Sequence, residues 1–567
     1  MVSSFSEAAA AKAFVLRQTP GTTLVVVFTV LGCASRLRNL HHPATPIYDE
    51  THVGRFLNWY HDGTFFFDVH GPLAKLLIYW TSSALGFAGR ASCPYESPQP
   101  YGAECSMAPQ RLVPALCGAC MVPLTFATCC AMRLHPLAAL LCSWLVLVDT
   151  LFIGVARVHL NDMVQMLFIA LTHLFAIYAC APPPPPPATT TATRHAAAAT
   201  ADGGKVRSSI ITLAATGFSL GCALQCKYAM ALTTLAWLGL QNLLHLGNVA
   251  FVTRGFGRLR RLVWESLLRA VLLLGIPLLL HLLLLRLHLS YVPRSGNGDN
   301  YMSVAFQSSL VGNQHREATP AHLRPSFLAL AYEHAQAQFW YNRNMAIVFP
   351  RGSHPFDTPW HTWPLAARGI YFSLIGDWGG VAQRIGDKHA FGIYLHPNPM
   401  TVLLTSAVAA AAVVLLVCRV ARVLRPCLAS SRRAERWRSL VNSLCPGGSG
   451  SLVVAYLLHW LPYATQDRQT FLLYYLPAYY FSVLLLGRMW HECACALLRP
   501  SVALLGTIAL GVAVGHVSWS IAPIAYGSEV RVHEWTAALR LASTECWRFP
   551  LGPLGEQTCW ADARATA

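Results

Sequence analysis

Apolar runs of roughly membrane-spanning length recur along the 567 residues, near 21–35, 111–131, 136–156, 163–182, 209–226, 228–248, 264–288, 401–424, 451–465, 470–487 and 501–521. A helix needs about 20 residues to cross the hydrocarbon core, so the shorter runs depend on neighbouring helices to cover their polar ends. The pattern predicts an all-α polytopic membrane protein with about eleven transmembrane helices. The N-terminal lead carries Lys12 and Arg17 and reads as an amphipathic cytosolic segment, not a cleavable signal peptide.

The polar stretches between the runs set the topology. Arg254, Arg258, Arg260 and Arg261 follow the sixth run, and Arg419 to Arg438 supply seven arginines between the eighth and ninth. Excess Lys and Arg mark cytosolic loops, so the N-terminus and these loops fall on one side. Simple alternation then divides the chain. Residues 1–35 are the cytosolic N-terminus and first helix, 36–110 a lumenal loop, and 111–181 helices two to four. Residues 182–208 are a Pro- and Thr-rich cytosolic connector, and 209–288 are helices five to seven. Residues 289–400 form a lumenal segment with a few short helices lying on the membrane, 401–521 hold the last four helices and a basic cytosolic loop, and 522–567 are a lumenal tail.

Composition agrees with this division. The chain is 54% hydrophobic and only 12% charged, against about 25% charged in soluble proteins. Its 42 basic and 25 acidic residues leave +17, an excess that cytosolic loops account for without nucleic acid. Most of the 18 cysteines lie in apolar runs as small core residues. Cys93 with Cys105, and Cys546 with Cys559, lie in non-cytosolic segments and are open to pairing in an oxidising compartment.

Four polar clusters fall on the non-cytosolic side. The first is Asp49, Glu50 and His52 with Asp68, His70 and Lys75; the second is Asp149, Arg157, His159 and Asp162. The third runs from Ser295 to Asp299 with Gln307 and Asn313, and the fourth is Asp467-Arg468 with Tyr474 and Tyr475. Ionisable groups at membrane depth are costly unless paired or functional. Gathered on one face, they suit group transfer from a lipid-linked phosphate. The growing charge on the departing phosphate needs a cation, and a guanidinium fork fits phosphate geometry, so Arg157 and Arg468 are the candidates. A hydroxyl acceptor needs a general base; Asp49 is assigned that role, with Glu50 as orienting catalytic partner. Phe65 to Phe67 read as an interfacial anchor. A transporter would place a polar pathway at both faces and repeat its halves, which these clusters do not.

The order Asp-Glu-x-His, then Phe-Phe-Phe-Asp-Val-His-x-Pro-Leu-x-Lys, resembles the first lumenal loop of the protein O-mannosyltransferases. The resemblance continues through residues 142–162, 295–313 and 456–478, with weaker echoes at Lys227-Tyr228 and Trp363-Pro364. It implies a GT-C glycosyltransferase fold with interfacial helices in the lumenal loops, in the endoplasmic reticulum membrane. The implied reaction moves mannose from dolichyl phosphate mannose to Ser or Thr of secretory proteins, with inversion and without a metal or other cofactor. Asp49 matches the family's catalytic acidic position, and Arg157 the arginine of the second motif that contacts the lipid phosphate. His52, Asp68, His70, Lys75, Asp149, Asp162 and Asp299 shape the substrate cleft, and pairing into a homo- or heterodimer is implied. The chain departs from the pattern at Gly71 and Ala74, where the family has Pro and Gly, and at Leu473-Tyr474, where it has paired His. Only about 85 residues separate Asn313 from the eighth run, too few for the family's lumenal β-trefoil (MIR) domain. A different acceptor, another polyprenyl-phosphate-sugar donor, or a weakly active subunit of a heterodimer are the alternatives.

Overall fold

The computed structural model describes residues 21–95, 105–180, 210–252, 256–354, 356–372, 383–385, 389–424 and 430–542. The α-helices run in order as α1 Gly21–Leu37, α2 Glu50–Asp62, α3 Leu73–Ala84, α4 Met107–Ala131, α5 Pro136–Val148, α6 Thr150–Ala156 and α7 Asn161–Cys180. Next come α8 Ile210–Leu224, α9 Tyr228–Val252, α10 Phe256–Ala270, α11 Ile276–Tyr291, α12 Val304–Gln307, α13 Gln314–Ala318 and α14 Phe327–Val348. The last are α15 Pro399–Leu424, α16 Ser430–Leu444, α17 Ser449–Trp460, α18 Leu476–Trp490, α19 Pro500–Tyr526 and α20 Val532–Ala542. The connector at 182–208 and the pair Cys546 and Cys559 lie outside the described residues.

Each predicted apolar run falls on a helix, yet their lengths differ. Among the described residues, five helical stretches are long and apolar enough to cross a membrane alone, and six if the pair α5–α6 counts as one span bent by 54°. The bend has a cause in sequence. Asp149 ends α5 and caps α6, its Oδ1 accepting from the Leu151 and Phe152 amides at 3.0 and 3.2 Å. Its Oδ2 accepts from Tyr479 Oη and the Asn398 amide at 2.7 and 2.9 Å, tying the bend to α18 and to the start of α15.

Burial separates core helices from peripheral ones. Every residue of α18 from Leu476 to Gly487 is buried as it packs against α5, α15 and α17, and a helix apolar on all sides belongs in such a position. By contrast, α11 exposes Leu278, Leu279 and Leu283, and α19 exposes Leu505, Ile508 and Val512. Those faces suit lipid contact, where an exposed leucine carries no penalty.

The 289–400 segment departs from the predicted set of short surface helices, because α14 is 22 residues long. No Gly or Pro interrupts Phe327–Val348, and the Ser326 hydroxyl accepts from the Ala329 amide to start it. The segment folds over the 49–75 loop: the Phe65 amide donates to Arg294 O at 2.7 Å, and Gln338 Nε2 to Asp68 O at 2.9 Å. Short antiparallel ladders pair Ile370–Tyr371 with Tyr394–Leu395, and Gln383–Ile385 with His389–Phe391. Phe65 and Phe66 are 0% and 1% exposed, so they are core residues and not an interfacial anchor; Phe66 stacks on Phe56 at 4.8 Å. Cys93 and Cys105 form a disulfide.

Candidate active site

The Asp49-Glu50 pair opens α2, and the two carboxylates have opposite fates. Glu50 is fully buried. Its oxygens accept from Arg111 Nε and Nη2 at 2.8 and 2.7 Å, from the Ile47 amide at 2.9 Å and from the His159 amide at 3.0 Å. Arg111 spends its remaining donors on the carbonyls of Leu40, Pro43 and Thr45. Burial alone would raise the Glu50 carboxyl, but Arg111 and then His159 outweigh it and hold it far below the ordinary carboxylate range. Asp49 stands at the N-cap position yet its side chain caps nothing, and Arg55 turns away to Tyr95 O. Burial, reinforced by Asp162 and opposed by His52 and Lys227, raises its carboxyl above the usual value. Immediately before it, Tyr48 has φ +50°, an uncommon conformation for a bulky residue. Its ring stacks on Phe372 at 4.6 Å, which holds the turn.

A cavity of about 650 Å³ opens beside Asp49. It draws residues from three of the four clusters. Asp49, His52, Asp68 and His70 come from the first loop, Asp162 from the start of α7, and Arg468 and Tyr474 from the turn before α18; the third cluster contributes none of its members, although Tyr301 just beyond it lines the cavity. Lys227 joins them from the α8–α9 turn, with Nζ at 2.7 Å from both Asp162 oxygens. Lys227 and Arg468 lie 5.7 and 5.9 Å from the Tyr474 ring centroid. Arg468 bonds Gln466 Oε1 and contacts the Met345 thioether, and it forms no ion pair among the described residues. Arg468 thus lines the cavity without a carboxylate in ion-pairing distance among the described residues.

Five of the expected residues do not line this cavity. Glu50 is bound to Arg111, as described. Lys75 pairs with Asp68 from behind and donates to the carbonyls of His70 and Gly71 at 3.2 and 3.0 Å. Burial would raise the Asp68 carboxyl, but Lys75 and then His70 hold it low. His70 is pushed down to about 3 by burial, so it is a neutral imidazole at physiological pH. Asp149 caps the bend. Arg157 donates to the carbonyls of Arg36, Arg38 and Asn39 and lies 4.8 Å over the Tyr526 ring, so its fork is turned to the end of α1 and not to the cleft. Asp299 accepts from Ser295 Oγ, the Gly296 amide and Asn313 Nδ2 and closes its own loop.

Sequence reasoning missed Arg111 and assigned no role to Lys227. Each stands at an end of an apolar run, where a lone cation is the one available signal. The departure at Gly71 also has a structural use. A Cβ there would meet Gln225 O at 2.4 Å, and that close approach packs the first loop against the turn carrying Lys227. Tyr474, part of another departure, has both cations near its ring, at 5.7 and 5.9 Å from the centroid.

A second cavity of about 850 Å³, lined by Leu224, Leu232, Leu278, Phe339 and Ala346 among others, meets the first at Arg468 and Ala229. Among the described residues no group of three or more His, Cys, Asp or Glu is placed to hold a metal ion.

Comparison with known proteins places this geometry. Residues 26–292 match the model of the dolichyl-phosphate-mannose-protein mannosyltransferase family. Residues 328–544 match the C-terminal four-transmembrane region of protein O-mannosyltransferase. Dolichyl-phosphate-mannose--protein mannosyltransferase 1 of Candida albicans is 30% identical over 285 residues, 49% of this chain and 29% of that protein. Protein O-mannosyl-transferase 2 of Drosophila melanogaster is 30% identical over 295 residues, 51% of this chain and 35% of that protein. The match thus spans about a third of the length of these relatives. A solved structure of the Saccharomyces cerevisiae protein O-mannosyltransferase Pmt1-Pmt2 complex bound to the sugar donor shares the fold, with a TM-score of 0.71 at 17% identity over 90% of each chain. The chain belongs to the protein O-mannosyltransferase family.

Proposed function

We propose that this protein transfers mannose from a dolichyl-phosphate donor to Ser or Thr hydroxyls of secretory polypeptides, at the lumenal face of the endoplasmic reticulum membrane. Eleven membrane crossings and pairing with a second transferase chain belong to this reading, since the solved relative is a complex of two. The observation that carries it is one cavity with an uncapped Asp49 carboxylate and two cations, Lys227 and Arg468. The acceptor oxygen bonds to the sugar C1 while its proton passes to Asp49. The bond from C1 to the phosphate oxygen breaks on the opposite face, with inversion. Charge then grows on the departing lipid phosphate beside Arg468 and Lys227, which stabilise it. Glu50 is a positioning residue that holds the Asp49 turn through Arg111, and His70 stays a neutral hydrogen-bonding wall. The second cavity takes the polyprenyl chain, because its lining is largely apolar and it meets the first at Arg468.

The test is transfer from radiolabelled donor to a Thr peptide in membranes, comparing the wild type with Asp49→Asn. Loss of a general base costs about 10²–10⁴-fold, so the variant should fall by at least 100-fold. Equal rates would remove Asp49 as base.

A further inference from the structure

A third, shallower cavity of about 340 Å³ lies on the far side of the Tyr301–Tyr341 wall. Both tyrosines also line the catalytic cavity, and their rings lie 6.0 Å apart, centroid to centroid. Phe67 of the first-loop motif supports the wall by stacking on Tyr301 at 4.8 Å. The rest of the lining is Trp340, Glu333, Asn300 and Gln336, with one small residue, and contains no basic side chain. Trp340 and Tyr301 are 65% and 50% exposed. The Glu333 carboxylate is fixed in place by the Ser303 amide and hydroxyl, at 2.6 and 2.9 Å. Ser303 in turn caps α12 through the Phe306 amide at 3.2 Å. A carboxylate offers about four acceptor positions, so these two bonds leave it able to take a cation.

We propose that this cavity is a specificity subsite for a Lys or Arg side chain of the acceptor polypeptide, bound between the Trp340 and Tyr301 rings and the Glu333 carboxylate. The inference rests on the transferase reading above and adds a preference to it. Aromatic faces attract ammonium and guanidinium groups, and the single fixed negative charge completes the complement. The shared tyrosine wall places the subsite next to the cavity where the acceptor hydroxyl must reach Asp49. A basic residue flanking the modified Ser or Thr therefore enters it.

The experiment uses the full chain in nanodiscs and a set of Thr peptides carrying a single Lys, Gln or Glu at each flanking position. Both transfer and equilibrium binding of labelled peptide are measured. In the wild type, Lys at one or two positions should lower KM relative to Gln by roughly three- to tenfold. Glu333→Gln should erase that advantage while leaving KM for the Gln peptide unchanged, and Glu333→Lys should shift the preference toward Glu peptides. No Lys advantage at any position, or one that survives Glu333→Gln, overturns the subsite. So does a Glu333 effect that follows lipid headgroup composition and not peptide charge. No transfer to any peptide, alongside Glu333-dependent binding of the Lys peptide, would remove the transferase reading and keep the subsite. Neither transfer nor such binding would overturn both.

Discussion

Two adjacent carboxylates in nearly the same position along the chain acquire opposite chemistry from their neighbours. Glu50 is locked as an ion by Arg111 and His159, whereas Asp49 is raised by burial and left without a capping duty. A base must be ionised to accept a proton, so activity falls as pH drops through the Asp49 value. The acid limb of kcat/KM should therefore lie above about 3.9, the ordinary value for Asp. A limb at or below that value would argue against Asp49. Glu50 contributes the reverse way to stability. Its folded value is depressed, so its stabilisation is complete above about 4.3, the unfolded value, and is lost only as pH falls below that toward the folded one. Glu50→Gln leaves Arg111 buried without a counter-charge, which costs about 3–5 kcal/mol. Thermal unfolding of the purified variant should show a clearly lowered midpoint, and an unchanged midpoint would mean that the loop is held by something else.

Elements bring these residues together through loop contacts more than through helix packing. The first loop reaches the α8–α9 turn because Gly71 lets its backbone approach Gln225. Gly71→Ala should displace that turn and with it Lys227, reducing kcat/KM about tenfold or more, as small misplacements at a reacting centre do. Measured transfer at wild-type level would show that the turn can yield without cost. The helices themselves were legible in the sequence, since each apolar run of the right length became one. The bent span at Asp149 was not, because hydropathy averages over a break that one carboxylate creates. The cleft was legible as a set of polar clusters, but not in its membership. Asp162 and Arg468 point in, while Arg157 and Asp299 satisfy local backbone and side-chain partners instead. Motif spacing reports which residues are near the site, and only the tertiary hydrogen bonds decide which of them face it. The long α14 was underestimated because the aromatics and the His-Pro and Trp-Pro breaks of the 289–400 segment read as irregular, although all of those breaks fall outside Phe327–Val348.

At the scale of the whole molecule, the two larger cavities differ in lining and meet at Arg468 and Ala229. The cavity beside Asp49 is edged by Asp, His and Tyr, whereas its neighbour combines Leu, Ala, Pro and Phe side chains with polar ones such as Gln466 and Asp467. On the proposed reading, filling the apolar cavity should discriminate between donors by tail length. Leu232→Trp should raise KM for a long-chain donor severalfold and leave a short, water-soluble analogue unaffected. Equal effects on both donors would mean that the substitution disturbs the headgroup site and that the chain binds elsewhere. Arg468 belongs to both cavities, and this has a consequence for traffic. A carrier that lives in the bilayer and a polypeptide that lives in water can enter by separate doors and meet at a single charged threshold. On the proposed reading the spent carrier withdraws sideways into the membrane while the polypeptide keeps its place, so neither substrate crosses into the other's solvent.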